Sequence, residues 1–285
     1  LSRNNPERMG AHDVNNDTPA PSIQAEAESP FSFAVPTEFV ELPSGGEYYP
    51  PNHPLHGEKH IEVRHMTAKE EDILTSRTLL KQGVALERVI KNLILDKRIN
   101  PDYLLVGDKN AVVIQARVSG YGSEYATNVT CPACATTAKY TFNLNEAKVY
   151  KGENISSLDI LKTEHGTFEL TLPTSKVNVE FKLLTGADER EILQGTNLDR
   201  KRKSGEKNVT RQLRKIIVGV NGDRSAETVN MLVDNLPSLD ARHIRLAYKL
   251  AAPNVDLTQH FQCPECDFSQ EMEVPLTADF FWPDR

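Results

Sequence analysis

Cys131-Pro-Ala-Cys134 and Cys263-Pro-Glu-Cys266 decide how this chain is read. Together they use all 4 cysteines of its 285 residues. A C-x-x-C turn offers two thiolates to one ion with little backbone strain, and the proline after the first cysteine restricts the turn. Two such turns fill a tetrahedral shell with sulfur and leave no open position for a substrate, so the bound ion is expected to be structural. Zinc is the default cation, and a rubredoxin-like iron site would use the same ligands. Compact zinc ribbons place their cysteine pairs about 15–20 residues apart, whereas 128 residues separate Cys134 from Cys263. One shared ion would therefore tie two remote parts of the chain together. The alternatives are a disulfide within each pair or a thiol redox motif. A redox C-x-x-C usually starts a helix, but strand patterns flank both turns here.

The pattern outward from each turn repeats. A strand over 125–130 leads into Cys131 and another over 139–144 leaves the turn. Strands near 260–262 and 270–274 do the same for the second pair. Upstream, Ile61-Glu-Val-Arg-His-Met-Thr67 can be laid beside Val179-Glu-Phe-Lys-Leu-Leu-Thr185. Each reads as a strand, a threonine at a helix start and an acidic first turn, which suits the helix dipole. A helix is predicted from Thr67 to Gly83, a second over 86–95, and a third capped by Asp108. In the second pass Thr185 starts a helix, 195–209 is a polar loop, and helices follow at 210–219, 225–235 and 239–251. The expected fold is α+β. A duplicated strand–helices–CPxC hairpin unit occupies 58–150 and 151–285, joined by a zinc-ribbon-like four-cysteine site.

Residues 1–57 hold nine of the 17 prolines. Proline removes backbone donors and breaks helices, so this segment is predicted to be an extended arm. Phe31, Phe33, Phe39, Tyr48 and Tyr49 punctuate it and are candidate anchors on a neighbouring subunit or on the chain's own body.

Composition limits the function. The formal net charge is -7, which opposes general binding to a phosphate backbone. The basic run Arg200-Lys-Arg-Lys203, with Lys207, Arg211, Arg214 and Lys215, reads as solvated charge. His260 is a spare ligand beside a shell that four cysteines already fill. Asp108, Arg117 and the region of Tyr121 could form a buried polar cluster. The start of the sequence, Leu1-Ser-Arg-Asn-Asn-Pro6, lacks the apolar core of a signal peptide. No apolar run reaches the roughly 18 residues of a membrane span. The cysteine usage fits a reducing compartment. No catalytic triad, phosphate-cradling glycine loop or HExxH is present, so an enzyme is not expected.

Several stretches, taken in order, resemble the T4-type baseplate protein family of contractile-tailed bacteriophages, often described as baseplate hub subunits. They are Pro36-Thr-Glu-Phe-Val-Glu-Leu-Pro-Ser-Gly-Gly46 with Tyr49-Pro50, Asn100-Pro-Asp-Tyr-Leu-Leu-Val-Gly-Asp108, and Arg117-Val-Ser-Gly-Tyr-Gly122 with the first CPxC. The resemblance covers roughly 36–282. It implies a structural component of the virion tail baseplate, made in the host cytoplasm. Its partners would be other baseplate, hub and tail subunits, with a symmetric homo-oligomer left open. Neither nucleic acid nor a small-molecule substrate is implied. The competing readings are a transient tail-assembly chaperone and a zinc-ribbon adaptor in a nucleic-acid process.

Overall fold

A computed structural model of the chain describes residues 35–202, 205, 207–275 and 280–281. Pro36–Arg285 groups as one compact unit. The first thirty residues, Phe31 and Phe33 lie outside the described residues.

Strand β1 (Thr37–Glu41) opens the unit and pairs antiparallel with β2 (His60–Arg64). The boundary expected near residue 58 therefore falls inside the body. The prolines at 43, 50, 51 and 54 sit in turns between these strands, where no ladder donor is needed. Leu42, Tyr49 and Leu55 from this stretch are all buried.

Three short helices follow: α1 (Ala68–Thr75), α2 (Arg77–Gln82) and α3 (Ala85–Leu93). The single helix expected up to Gly83 is broken at Ser76, whose side chain accepts a hydrogen bond from the Leu79 N–H and starts α2. Gly83 ends α2 at φ +71°, the left-handed conformation glycine adopts without penalty. Ile94 then bridges back to Val63, returning the chain to β2.

Helix α4 (Val106–Tyr121) is the central element, burying Ala111, Val112, Ile114 and Ala116. Its start lies directly on the chain that follows a later helix: a Cβ at Gly107 would come within 2.0 Å of the Pro253 carbonyl oxygen. Near its end the fully buried Arg117 guanidinium donates to the carbonyls of Phe280, Gly122 and Glu124. Strands β3 (Glu124–Thr130) and β4 (Thr137–Asn143) form the first cysteine hairpin, and β5 (Lys148–Tyr150) follows.

The second stretch builds a four-stranded antiparallel sheet from β6 (Leu161–Lys162), β7 (Phe168–Thr171) and β8 (Asn178–Phe181). After α5 (Gly186–Arg202) and α6 (Asn208–Ile216), β9 (Ile217–Val220) closes the order β6-β7-β8-β9. Phe168 and Phe181 stack in its core at 5.3 Å between ring centroids. Burying each such ring contributes about 1.5–3 kcal/mol.

Helix α5 runs through 195–202, where the polar, glycine-containing pattern predicts a loop. Gly195, read as a loop signal, serves instead as a gap through which the Arg211 side chain crosses α5. Arg211 then pairs with Asp199 at 2.7 Å. Helices α7 (Ala226–Asn235) and α8 (Ser238–Ala251) complete the layer. Finally β10 (Asn254–Asp256) pairs with β5, and β11 (Thr258–Gln262) with β12 (Ser269–Glu273) forms the second cysteine hairpin. Among the described residues no helix is long and apolar enough to cross a membrane.

Candidate metal centre

Each CPxC turn joins the two strands of a hairpin. The first hairpin closes on the pair Thr130 and Thr137, the second on Gln262 and Ser269. Past these pairs the chain bonds itself in the same way in both. The Cys131 N–H donates to the Thr136 carbonyl at 2.9 Å, and the Cys263 N–H donates to the Phe268 carbonyl at 2.9 Å. In the second turn the Glu265 N–H also points at Cys263 Sγ at 3.4 Å. Such amides favour the thiolate over the thiol.

The hairpins are held against each other by side chains. Gln259 donates to the Asn143 carbonyl at 2.7 Å and accepts from the Asn143 N–H at 3.2 Å. Tyr140 of β4 meets Phe261 of β11 edge to face, with centroids 5.1 Å apart. This packing brings the four cysteines together, with every sulfur within 4.8 Å of every other. Two short approaches join opposite hairpins: Cys131 to Cys266 at 3.9 Å and Cys134 to Cys263 at 3.8 Å. A tetrahedron with arms of about 2.3 Å has edges of about 3.8 Å, so the donor set fits a tetrahedral thiolate ion. A disulfide needs about 2.0 Å, and all four cysteines are free.

Cys131 and Cys263, the first cysteine of each turn, are 1% and 5% exposed, while Cys134 lies at the surface. The Thr136 hydroxyl and N–H hold the Cys134 thiol down to about 6. The Phe268 N–H favours the Cys266 thiolate, but burial and the other three cysteines push that thiol up to about 12. One thiolate thus forms readily and the next is opposed by its neighbours. A divalent cation cancels this repulsion.

The remaining candidates separate. His260 is exposed, lies 3.3 Å from Glu271, and is outside the sulfur cluster. In the basic run, Arg211, Arg214 and Lys215 pair with Asp199, Asp234 and Glu191. Of the five aromatic anchors, Phe39 is 70% exposed. Tyr48 is half-buried against Phe168 and under Lys162. Tyr49 is 4% exposed and inside the body, its hydroxyl donating to Asp108 at 2.7 Å and accepting from the Leu105 N–H at 3.1 Å.

Asp108 does not cap α4. It is the helix's third residue, and its carboxylate accepts from the Ser44 N–H at 2.9 Å and the Ser44 hydroxyl at 2.6 Å. Among the described residues it shares no partner with Arg117, so the expected polar cluster is two separate sites. Asp240, third in α8, makes a related contact that the sequence reading missed. It accepts from the N–H groups of Thr174 at 2.8 Å and Ser175 at 2.9 Å. The signal was present, since both gripped turns follow a Leu-Pro step, Leu42-Pro43 and Leu172-Pro173.

Comparisons with curated proteins and with solved structures find no match. A comparison with protein families does: the family described as T4 bacteriophage base plate protein matches residues 36–282, nearly the whole body that carries the four cysteines, and the chain belongs to that family.

Proposed function

We propose that this chain is a non-enzymatic structural subunit of a contractile-tail baseplate, acting in tail assembly through protein–protein contacts and stiffened by one zinc ion. Family membership over residues 36–282 carries the reading. The four-sulfur cluster supports the zinc, with Cys131, Cys134, Cys263 and Cys266 as ligands. The ion would lock two hairpins that sequence alone leaves far apart. Phe31, Phe33 and Phe39 are proposed as contacts to neighbouring tail subunits. The site of action is then the virion tail.

We also infer that the body is a duplication, with a first copy from β1 to β4 and a second from β7 to β12. Matching contacts support this. β1–β2 and β7–β8 are antiparallel pairs whose first strand each runs into a Leu-Pro turn. Glu70 accepts from Arg64 and from the Thr67 N–H, and Asp188 accepts from Lys182 and from the Thr185 N–H. Asp108 and Asp240 grip the two Leu-Pro turns, and each copy ends in a CPxC hairpin.

Mass spectrometry of purified tail particles tests the role. Expected is the full chain, in fixed ratio to other baseplate subunits. Presence only in assembly intermediates would instead favour the chaperone. Removing residues 1–34 should leave a folded, zinc-bound body that enters particles poorly. Removing 1–57 should also destroy the body, because β1, Ser44 and Tyr49 leave with it.

A further inference from the structure

The two cysteine hairpins are fastened to each other at several levels below the sulfurs. At their roots, β5 leaves the first hairpin and β10 leads into the second, and the two strands pair antiparallel with Lys148 opposite Asp256. There too, Gln259 bonds both backbone groups of Asn143. Nearer the tips, the Tyr140 hydroxyl donates to the His260 carbonyl at 3.2 Å while its ring packs on Phe261. Past the exit of β12, the Tyr125 hydroxyl donates to the Pro275 carbonyl at 3.1 Å, and Arg117 Nε donates to the Phe280 carbonyl at 2.6 Å. The Phe280 ring meets Tyr125 edge to face, with centroids 5.3 Å apart.

None of these contacts uses sulfur. In a small zinc finger the ion stands in for a core, and the chain without it is unfolded. Here apolar burial and hydrogen bonds already dock the hairpins, and only the two turns at the tips are left for an ion to join. Each turn has one cysteine inside and one toward solvent: Cys131 and Cys263 are buried, Cys134 is exposed and Cys266 half-buried. The turns differ in charge. Ala133 and Ala135 of the first stand where the second has Glu265 and Asp267, both exposed. These two carboxylates line a polar recess of about 500 Å³ together with Tyr140, Gln262, Cys263 and Cys266. The recess therefore borders two of the four cysteines. Carboxylates raise the local concentration of a divalent cation, while thiolates are the ligands that select zinc.

We propose that the fold assembles the four-cysteine site before any ion arrives, and that the ion is loaded last, entering past Glu265 and Asp267 at the second turn. The order follows from where the contacts lie. Those that close the roots and flanks of the hairpins form from the chain alone, and the ion adds only the tie between the tips. The route follows from charge, since Ala133 and Ala135 give the first turn nothing to attract a cation. Loss of the ion then loosens the tips and leaves the roots closed. The proposal rests on the zinc reading of the cluster for the identity of the ion.

The test uses the full chain, stripped of metal by a chelator under a thiol reductant and then given zinc chloride alone. In the stripped chain, amides within 139–143 and 258–262 should keep their slow hydrogen exchange, while those within 131–136 and 263–268 speed up at least about 10-fold. Added zinc should restore the turns at a rate proportional to its concentration. Glu265→Gln combined with Asp267→Asn removes both charges and keeps the residue 265 N–H that points at Cys263 Sγ. This double variant should still bind one zinc per chain, but take it up at least about 3-fold more slowly at low salt, a difference that shrinks as salt is added. Fast exchange throughout both hairpins of the stripped chain overturns the proposal. So does zinc uptake limited by a folding rate, or uptake by the double variant at the unaltered rate. An unaltered chain that binds no zinc at all overturns the zinc reading itself, a distinct result.

Discussion

Asp108 and Asp240 hold the same kind of turn with different donors. Asp108 is met by one backbone N–H and two hydroxyls, and burial raises its pKa despite them. Asp240 is met by two backbone N–H groups, and although burial opposes it, these donors, helped by the Ser175 and Thr174 hydroxyls, lower its pKa. A backbone amide is always a donor, so it commits the atom it meets to accepting. A hydroxyl can reverse its role. The first half therefore grips its Leu-Pro turn mainly through hydroxyls and the second mainly through backbone amides. Among the described residues the same asymmetry runs further: β1 is paired on one edge by β2, while β7 is paired on both by β6 and β8.

The most disruptive way to probe this comparison is through the element both halves share. Cys131→Ser and Cys263→Ser, made singly, should each release the metal. Each should lower the melting temperature by about 10 °C or more, because a structural four-thiolate site contributes to folding directly. Metal content and calorimetry measure this. Equal losses from the two hairpins support one shared ion, and full retention in either variant breaks the site as described.

A smaller effect separates the clasps themselves. Asp240→Asn turns an amide NH2 toward a backbone N–H and should destabilise by about 2–3 kcal/mol. Asp108→Asn can keep its carbonyl on the Ser44 N–H and donate to the hydroxyls, and should cost less than about 1.5 kcal/mol. Urea denaturation of both variants decides it. The reverse order would mean that Asp108 is held as a charge.

The gentlest probe is pH. Burial works against the Glu70 carboxylate, yet Arg64, Thr67 and Asn92 hold its pKa down to about 2, below its ordinary 4.5. A depressed carboxyl stabilises the fold above its unfolded pKa, and that contribution is lost as pH falls through the folded value. Stability should therefore drop between pH 4.5 and about 2. Glu70→Gln should flatten that part of the curve. Asp188, also lowered although burial raises it, would account for loss that remains.

Much of this was legible in the chain. The cysteine spacing gave the cluster, and Thr67 and Thr185 gave two helix starts, because both signals are local. What escaped depends on contacts distant in sequence. Tyr49 reads as an anchor on a neighbour or on the chain's own body alike, because an aromatic in a proline-rich stretch has the same pattern whether or not it reaches a buried carboxylate. Asp108 looked like a cap because the turn it grips lies 64 residues away. Gly195 read as a loop because nothing nearby shows that Arg211 will pass over it. The compact unit begins at Pro36 for the same reason: prolines mark turns equally well in an arm and between paired strands.

Gly107 leaves no room for even a methyl group between the start of α4 and the chain leaving α8. Main chain there rests on main chain, with no flexible side group to absorb a displacement. Adjacent to that point, β10 pairs with β5, and β11 follows it toward Cys263. A single added carbon at residue 107 would act as a wedge against the Pro253 and Asn254 backbone. The close seat of α4 on this chain thus depends on an atom that the sequence withholds.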